Sequence, residues 1–253
     1  LLFVSDVHGA FEKLTDVART GEQLIILGDL VNLLDYRTGE GIVADVMGIA
    51  FAREAAMRRG TGDFSSMREQ WREAVGSNAE EVLHLIDEKY LEQYQAAHQA
   101  LSGSRGYATF GNVDRPDMMR THLPSGWKFV DGEVVEIEGL RVGFVGGGVT
   151  TPLRAAGEVS EEEMAAKLDA LGPVDVLCSH LPPAVRPLHI DVVTGRAERA
   201  SQPILAYLRR YRPRWHFFGD VHQPQASQWR VGSTICRNVG YFRATGRGIR
   251  FEP

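Results

Sequence analysis

Short apolar runs recur along the chain, and each stops abruptly on polar residues. Leu1 to Ser5 runs into Asp6-Val7-His8, and Leu24 to Leu27 into Gly28-Asp29. Tyr107 to Phe110 runs into Gly111-Asn112, Val174 to Cys178 into Ser179-His180, and Trp215 to Phe218 into Gly219-Asp220-Val221-His222. Runs of four or five apolar residues predict strands covered on both faces. Helical spacing over Phe11 to Thr20 separates the first two runs. The pattern therefore predicts an α/β chain whose polar residues collect at strand C-terminal ends, where open α/β sheets keep their ligands.

Between about Asp35 and Arg105 the period changes to that of helices, with little strand signal. Ile42, Val46, Ile49 and Ala50 predict one helix. Ser77-Asn78-Ala79-Glu80 reads as a capping box for a second, continued by Leu83, Ile86, Tyr90, Tyr94, Ala97 and Leu101. A loop over residues 60–66 is expected between them. Residues 1–253 thus read as one domain, with 35–105 as a helical insertion or cap within it. Further on, Lys128 to Val145 alternates as a hairpin turning at Glu138-Gly139, and Ser160 with Glu163 caps a helix that stops at Gly172-Pro173. A helix is expected from about Ser201 to Pro213. A last hairpin spans Gln228 to Gly240 and turns at Gly232-Ser233.

Composition narrows the class. Of 253 residues, 43% are hydrophobic, enough to bury a full core without staples. The two cysteines, Cys178 and Cys236, lie in apolar strand-like runs and read as buried thiols, which fits a reducing, cytoplasmic setting. No apolar run approaches the ~20 residues of a membrane span, and no signal peptide pattern is visible. The chain opens on Leu1 rather than Met, so a short preceding segment is expected. A net charge of −5 argues against a surface devoted to extended nucleic acid. Charge is uneven, however: eleven arginines fall between Arg196 and Arg250 against only Glu198 and Asp220. A solvated helix face at Arg209, Arg210, Arg212 and Arg214 and an anion-binding patch both remain open for this stretch.

Five strand ends carry seven metal-capable side chains: Asp6, His8, Asp29, Asn112, His180, Asp220 and His222. Any one alone reads as a loop cap or a structural histidine. Together they would leave several ionisable groups converging without a partner. Carboxylate, imidazole and amide donors suit a hard or borderline divalent ion, and seven exceed what one tetrahedral ion takes. The ordered motifs Asp6-Val7-His8, Gly28-Asp29, Gly111-Asn112, Ser179-His180 and Gly219-Asp220-Val221-His222 resemble those of the calcineurin-like metallophosphoesterase family. The resemblance implies a two-sheet β-sandwich flanked by helices and two divalent metal ions. On that resemblance Asp6, His8 and His222 hold one ion, Asn112 and His180 the other, and Asp29 bridges. A metal-bridging hydroxide would then attack phosphorus.

Two positions depart from the family pattern. Asp220 stands where a histidine is usual, and its oxygen donor shifts the expected metal toward Mn²⁺ or Fe and away from Zn²⁺. Val113 replaces a histidine thought to protonate the leaving group, and Gly111-Asn112-Val113-Asp114 is similar instead to a branch associated mainly with phosphodiesterases. A small or nucleotide-like diester is the expected substrate. Arg115 and Arg243 are candidates to orient phosphate, and His189 and Asp191 candidates for a replacement acid. Phosphomonoesterase, nuclease and non-catalytic interaction scaffold stay as alternatives, as does a homodimer through the insertion. A serine hydrolase built on Ser179 lacks the nucleophile elbow.

Overall fold

A computed structural model describes residues 1–152 and 154–252. In chain order the elements are β1 (Leu2–Val4), α1 (Phe11–Ala18), β2 (Leu24–Leu27), α2 (Ile42–Met47), α3 (Ile49–Thr61), α4 (Phe64–Val75), α5 (Ala79–Leu101) and β3 (Gly106–Thr109). Then come α6 (Pro116–His122), β4 (Trp127–Phe129), β5 (Glu133–Ile137), β6 (Leu140–Val145), β7 (Gly148–Val149), β8 (Glu158–Val159), α7 (Glu161–Leu171) and β9 (Val176–Ser179). The chain finishes with α8 (Arg186–His189), α9 (Gln202–Tyr211), β10 (Trp215–Phe218), β11 (Gln228–Val231), β12 (Thr234–Asn238), α10 (Phe242–Thr245) and β13 (Ile249–Arg250).

The strands form two main sheets, ordered β13-β1-β2-β3-β4 and β11-β12-β10-β9-β6-β5, and a small β7-β8 pair. Strands β1 to β4 are mutually parallel, as are β6, β9, β10 and β12, while antiparallel β13, β5 and β11 take edges. The continuous apolar runs are explained by what covers each face. In β1 and β2, Phe3, Ile25 and Leu27 point between the sheets, meeting Phe144, Cys178 and Phe217 of the other sheet. Their neighbours Leu2, Val4, Leu24 and Ile26 point outward against Leu14 of α1 and Tyr94, Ala97 and Leu101 of α5. The second sheet does the same, with Leu177, Phe218 and Cys236 packed against Leu168 of α7 and Leu208 of α9. Period-two pleating with both faces buried gives the helix-sheet-sheet-helix layering of a flanked sandwich. Among the described residues, no helix is long and apolar enough to cross a membrane.

Several local expectations change. The single helix expected around Ile42 to Ala50 breaks at Gly48, whose φ of 85° is closed to most side chains, so α2 and α3 are separate. The expected loop at 60–66 shrinks to Gly62 and Asp63, because the Asp63 side chain accepts from Ser66 N and starts α4. At α5 the N-cap is Asn78, with no side-chain cap bond, so the capping box does not form; Ser77 Oγ donates to Asn78 Oδ1 instead. The Ser160–Glu163 box does form. The hairpin turning at Glu138-Gly139, both left-handed, is β5-β6; Lys128 belongs to β4 in the other sheet. Cys178 and Cys236 are free and buried, and burial raises both thiol pKa values, that of Cys236 to about 12.

Candidate metal centre

Parallel strands point their C-terminal ends the same way, so the loops after β1, β2 and β3 of one sheet and after β9 and β10 of the other meet at one edge. These loops carry all seven side chains. Four of the seven, Asp6, His8, Asp29 and Asp220, have left-handed backbones with φ of 57°, 43°, 52° and 65°. Such conformations cost of order 1–3 kcal/mol each and persist only where the surroundings fix them. Here the fixing is done by cross-loop hydrogen bonds: Asp6 N to Gly28 O, His8 N to Asp29 O, and Asp220 N to Asp6 Oδ2. A side chain at Gly111 would run into the Asp29 carboxylate, and one at Gly219 into Ser5 and Asp6. These two glycines, each just before a candidate ligand, are therefore what lets the loops close together.

The side chains converge tightly. His8 Nε2 lies 3.3 Å from His222 Nε2 and 3.6 Å from Asp29 Oδ2, and His222 Nε2 lies 3.4 Å from Asp6 Oδ1. On the other side, His180 Nε2 is 3.2 Å from Asn112 Oδ1 and 3.5 Å from both Asp29 Oδ2 and Asp220 Oδ1. Asp29 Oδ2 thus sits between the two groups. Donor atoms about 2.1 Å from a shared ion stand about 3–3.4 Å apart, close to these spacings. Two sets, Asp6-His8-His222 and Asp6-Asp29-His180, each bring three ligand atoms within 4.8 Å of one another.

The chemistry of the donor set fits bound cations. Asp6 Oδ1 is buried and has no hydrogen-bond partner among the described residues, an arrangement that costs free energy unless an ion satisfies it. His180 Nδ1 faces Leu27 O at 2.8 Å and His8 Nδ1 faces Val31 O at 3.3 Å. With Nδ1–H donating to those carbonyls, each Nε2 lone pair is aimed inward, the usual orientation of a metal-binding imidazole. Burial alone would raise the Asp6 and Asp29 pKa values, but His222 and His180 beside Asp6, and His180 and His8 beside Asp29, hold both below the ordinary range. Burial alone would lower His180, yet Asp29 and Asp220 hold it well above its usual value. The centre is a mutually compensated cluster of three carboxylates and three imidazoles.

Residues beyond the seven fix the loops. Asp114 accepts from Leu30 N at 3.0 Å and from Gly111 N at 2.8 Å, joining the Asp29 and Asn112 loops from beneath. Burial, then the charge of Asp29, raises its pKa to about 6. Asn238 donates to Val221 O at 2.9 Å and Gly219 O at 3.3 Å, bracing the Asp220 loop. Tyr241 stacks on His222 with ring centroids 3.8 Å apart and planes 2° from parallel. Neither carried the signal of the candidate ligands: Asn238 ends the mixed run Thr234-Ile235-Cys236-Arg237, and Tyr241 lies beyond the strand end.

Other candidates are engaged elsewhere. The Arg115 guanidinium pairs with Asp87 and lies 4.1 Å over the Tyr90 ring. Arg243 donates to His8 O and pairs with Asp35 and Glu40, each at 3.2 Å. Asp191 accepts from Val193 N and Thr194 N of its own turn, and His189 Nδ1 faces Glu198 O. The Val113 side chain is buried and its N–H donates to Asp29 Oδ1 at 3.1 Å.

Fold and candidate site together fit a metal-dependent phosphoester hydrolase, and the family match carries that class. The sequence matches the family model of the calcineurin-like phosphoesterases over residues 1–224, and the chain belongs to that family. Among solved structures, one crystal structure shares 16% identity over 99% of this chain and 97% of its own, with a TM-score of 0.61. The crystal structure of TT1561 of Thermus thermophilus shares 12% identity over 96% of this chain and 89% of its own, with a TM-score of 0.53. Both likenesses are of fold. No curated protein matches the chain in sequence.

Proposed function

We propose that the enzyme is a phosphodiesterase acting on a small or nucleotide-like diester, with Asp6, His8 and His222 holding one divalent ion, Asn112, His180 and Asp220 the second, and Asp29 shared. When bound, the ions supply Lewis acidity toward phosphate oxygens and lower the pKa of an attacking water. Three carboxylates against two divalent charges leave the centre one charge positive, which attracts an anionic ester. Four oxygen donors against three imidazoles favour Mn²⁺ or Fe over Zn²⁺.

The observation that carries the diester assignment is Val113. The position from which many relatives present a proton-donating histidine here packs an apolar side chain into the core. The candidate replacement acids His189 and Asp191 are held within their own loop, His189 Nδ1 facing Glu198 O and Asp191 Oδ1 accepting from Val193 N and Thr194 N. Losing a general acid costs about 10²–10⁴-fold on a poor leaving group and little on a good one. A matched pair tests the assignment. Bis-p-nitrophenyl phosphate should be cleaved with a higher kcat/KM than p-nitrophenyl phosphate; the opposite ranking would make the enzyme a monoesterase. Asp220→His should shift the metal of maximal activity toward Zn²⁺, whereas an unchanged metal profile would remove Asp220 from the ligand set.

A further inference from the structure

The junction of α3 and α4 meets a hairpin from a distant part of the chain. That hairpin follows α8: Asp191 bridges to Pro224, Val192 N donates to Gln223 O at 2.9 Å, and Gln225 N donates to Ile190 O at 2.8 Å. It therefore hangs from the residues directly after His222. From the other direction, Asp35 is tied through Arg243 to the carbonyl of His8, which sets the neighbouring Tyr36 beside the first ligand loop. Tyr36 stands half-exposed there. Burial of its hydroxyl raises its pKa to about 12, with Arg59 opposing the rise and Asp29, Asp220 and Glu198 adding to it.

Three guanidinium groups gather along this seam. Arg59 of α3 is half-buried and lies 5.0 Å over the Tyr36 ring. Arg196 donates across the seam to Gly60 O, and Arg199 donates to Thr150 O at 3.0 Å while lying 5.6 Å over Phe64 of α4. Among the described residues none of the three has a carboxylate within ion-pair distance. By contrast, arginines elsewhere in the basic C-terminal stretch do: Arg210 pairs with Asp169, Arg243 with Asp35 and Glu40, and Arg250 with Glu22. Cations stacked on aromatics and held by backbone carbonyls keep free N–H donors in a fork that matches phosphate oxygens.

We infer that Arg59, with Arg196 and Arg199, forms an anion-binding rim that holds a second negative group of the substrate beside the metal centre, so that the preferred substrate is a diester with adjacent phosphoryl groups. A pyrophosphate-linked nucleotide has that chemistry. The inference rests on the phosphodiesterase assignment, with the first phosphoryl at the metals and the second at the rim.

The test uses uridine diphosphate glucose, with two adjacent anionic groups, as substrate or competitor against bis-p-nitrophenyl phosphate, with one. In Arg59→Ala the KM or competitive inhibition constant for uridine diphosphate glucose should rise at least tenfold more than the KM for bis-p-nitrophenyl phosphate. Arg196→Ala combined with Arg199→Ala should show the same preference loss by several-fold, and Arg59→Lys should restore part of it. A ratio within twofold of wild type in both variants overturns the rim, as does a competitor that fails to bind wild type. If wild type cleaves no diester, the phosphodiesterase assignment fails. Calorimetric titration of the same proteins with uridine diphosphate glucose then reads the rim alone, with at least a fivefold weaker Kd expected in Arg59→Ala and an unchanged Kd overturning it.

Discussion

At the scale of single residues, the centre depends on backbone shape as much as on ligand identity. Asp6, His8, Asp29 and Asp220 were legible because each ends an apolar run; their left-handed backbones were not, since φ depends on loops far apart in sequence. Gly219 shows the link. A methyl group there meets Ser5 and Asp6, so Gly219→Ala should lower bound metal severalfold while leaving far-UV circular dichroism native; full metal content would contradict the packing argument. Asp114 was visible in its motif but had no role assignable from sequence, because its donors come from Leu30, Val31 and Gly111. Asp114→Ala strands these buried N–H groups at about 1–3 kcal/mol each before relaxation. A loss of at least about 2 kcal/mol in chemical denaturation is expected, and a loss under about 0.5 kcal/mol would show the clamp to be dispensable.

At the scale of elements, helix α5 explains why periodicity succeeded where capping did not. Its apolar spacing is set by the sheet it covers, so Ile86, Tyr90, Tyr94, Ala97 and Leu101 were readable, whereas Leu83, expected on the same face, is exposed and the start is set by a local choice between Ser77 and Asn78. The same face predicts an asymmetry. Tyr94→Ala, at 1% exposure, should cost about 3–5 kcal/mol, and Leu83→Ala, at 58%, no more than about 0.5 kcal/mol. Equal losses would mean that α5 does not pack as described. Between β9 and β10, Ser179 Oγ donates to Leu181 O and faces His216 Nε2 at 2.7 Å, while buried His216 Nδ1 has no partner among the described residues. Burial lowers the His216 pKa to about 3, so the unfolded chain, titrating near 6.5, binds a proton that the native state refuses. Stability contributed by neutral His216 is complete above about pH 6.5 and declines toward about pH 3, by up to about 1.4 kcal/mol per pH unit. His216→Gln should flatten that part of the acid slope relative to wild type; parallel slopes would place the titration elsewhere.

At the scale of the whole molecule, the strand ends of two separate sheets come together, and the candidate ligands of both meet there. The apolar runs alone suggested a single open sheet. They could not reveal two, because buried parallel strands read alike wherever they lie; the ordered motifs carried that information. The segment 35–105 was legible as helices, but its approach to Asp191–Arg199 was not, since that contact depends on long-range docking. The converging carboxylates and the orphaned Asp6 oxygen make metal occupancy the central claim. Its most direct measurement is metal content together with bis-p-nitrophenyl phosphate turnover, in wild type and Asp29→Ala, before and after chelation and Mn²⁺ addition. About two ions per wild-type chain, loss of turnover with EDTA, recovery with Mn²⁺ and no turnover in Asp29→Ala are expected. Turnover that survives both chelation and that substitution would contradict the account.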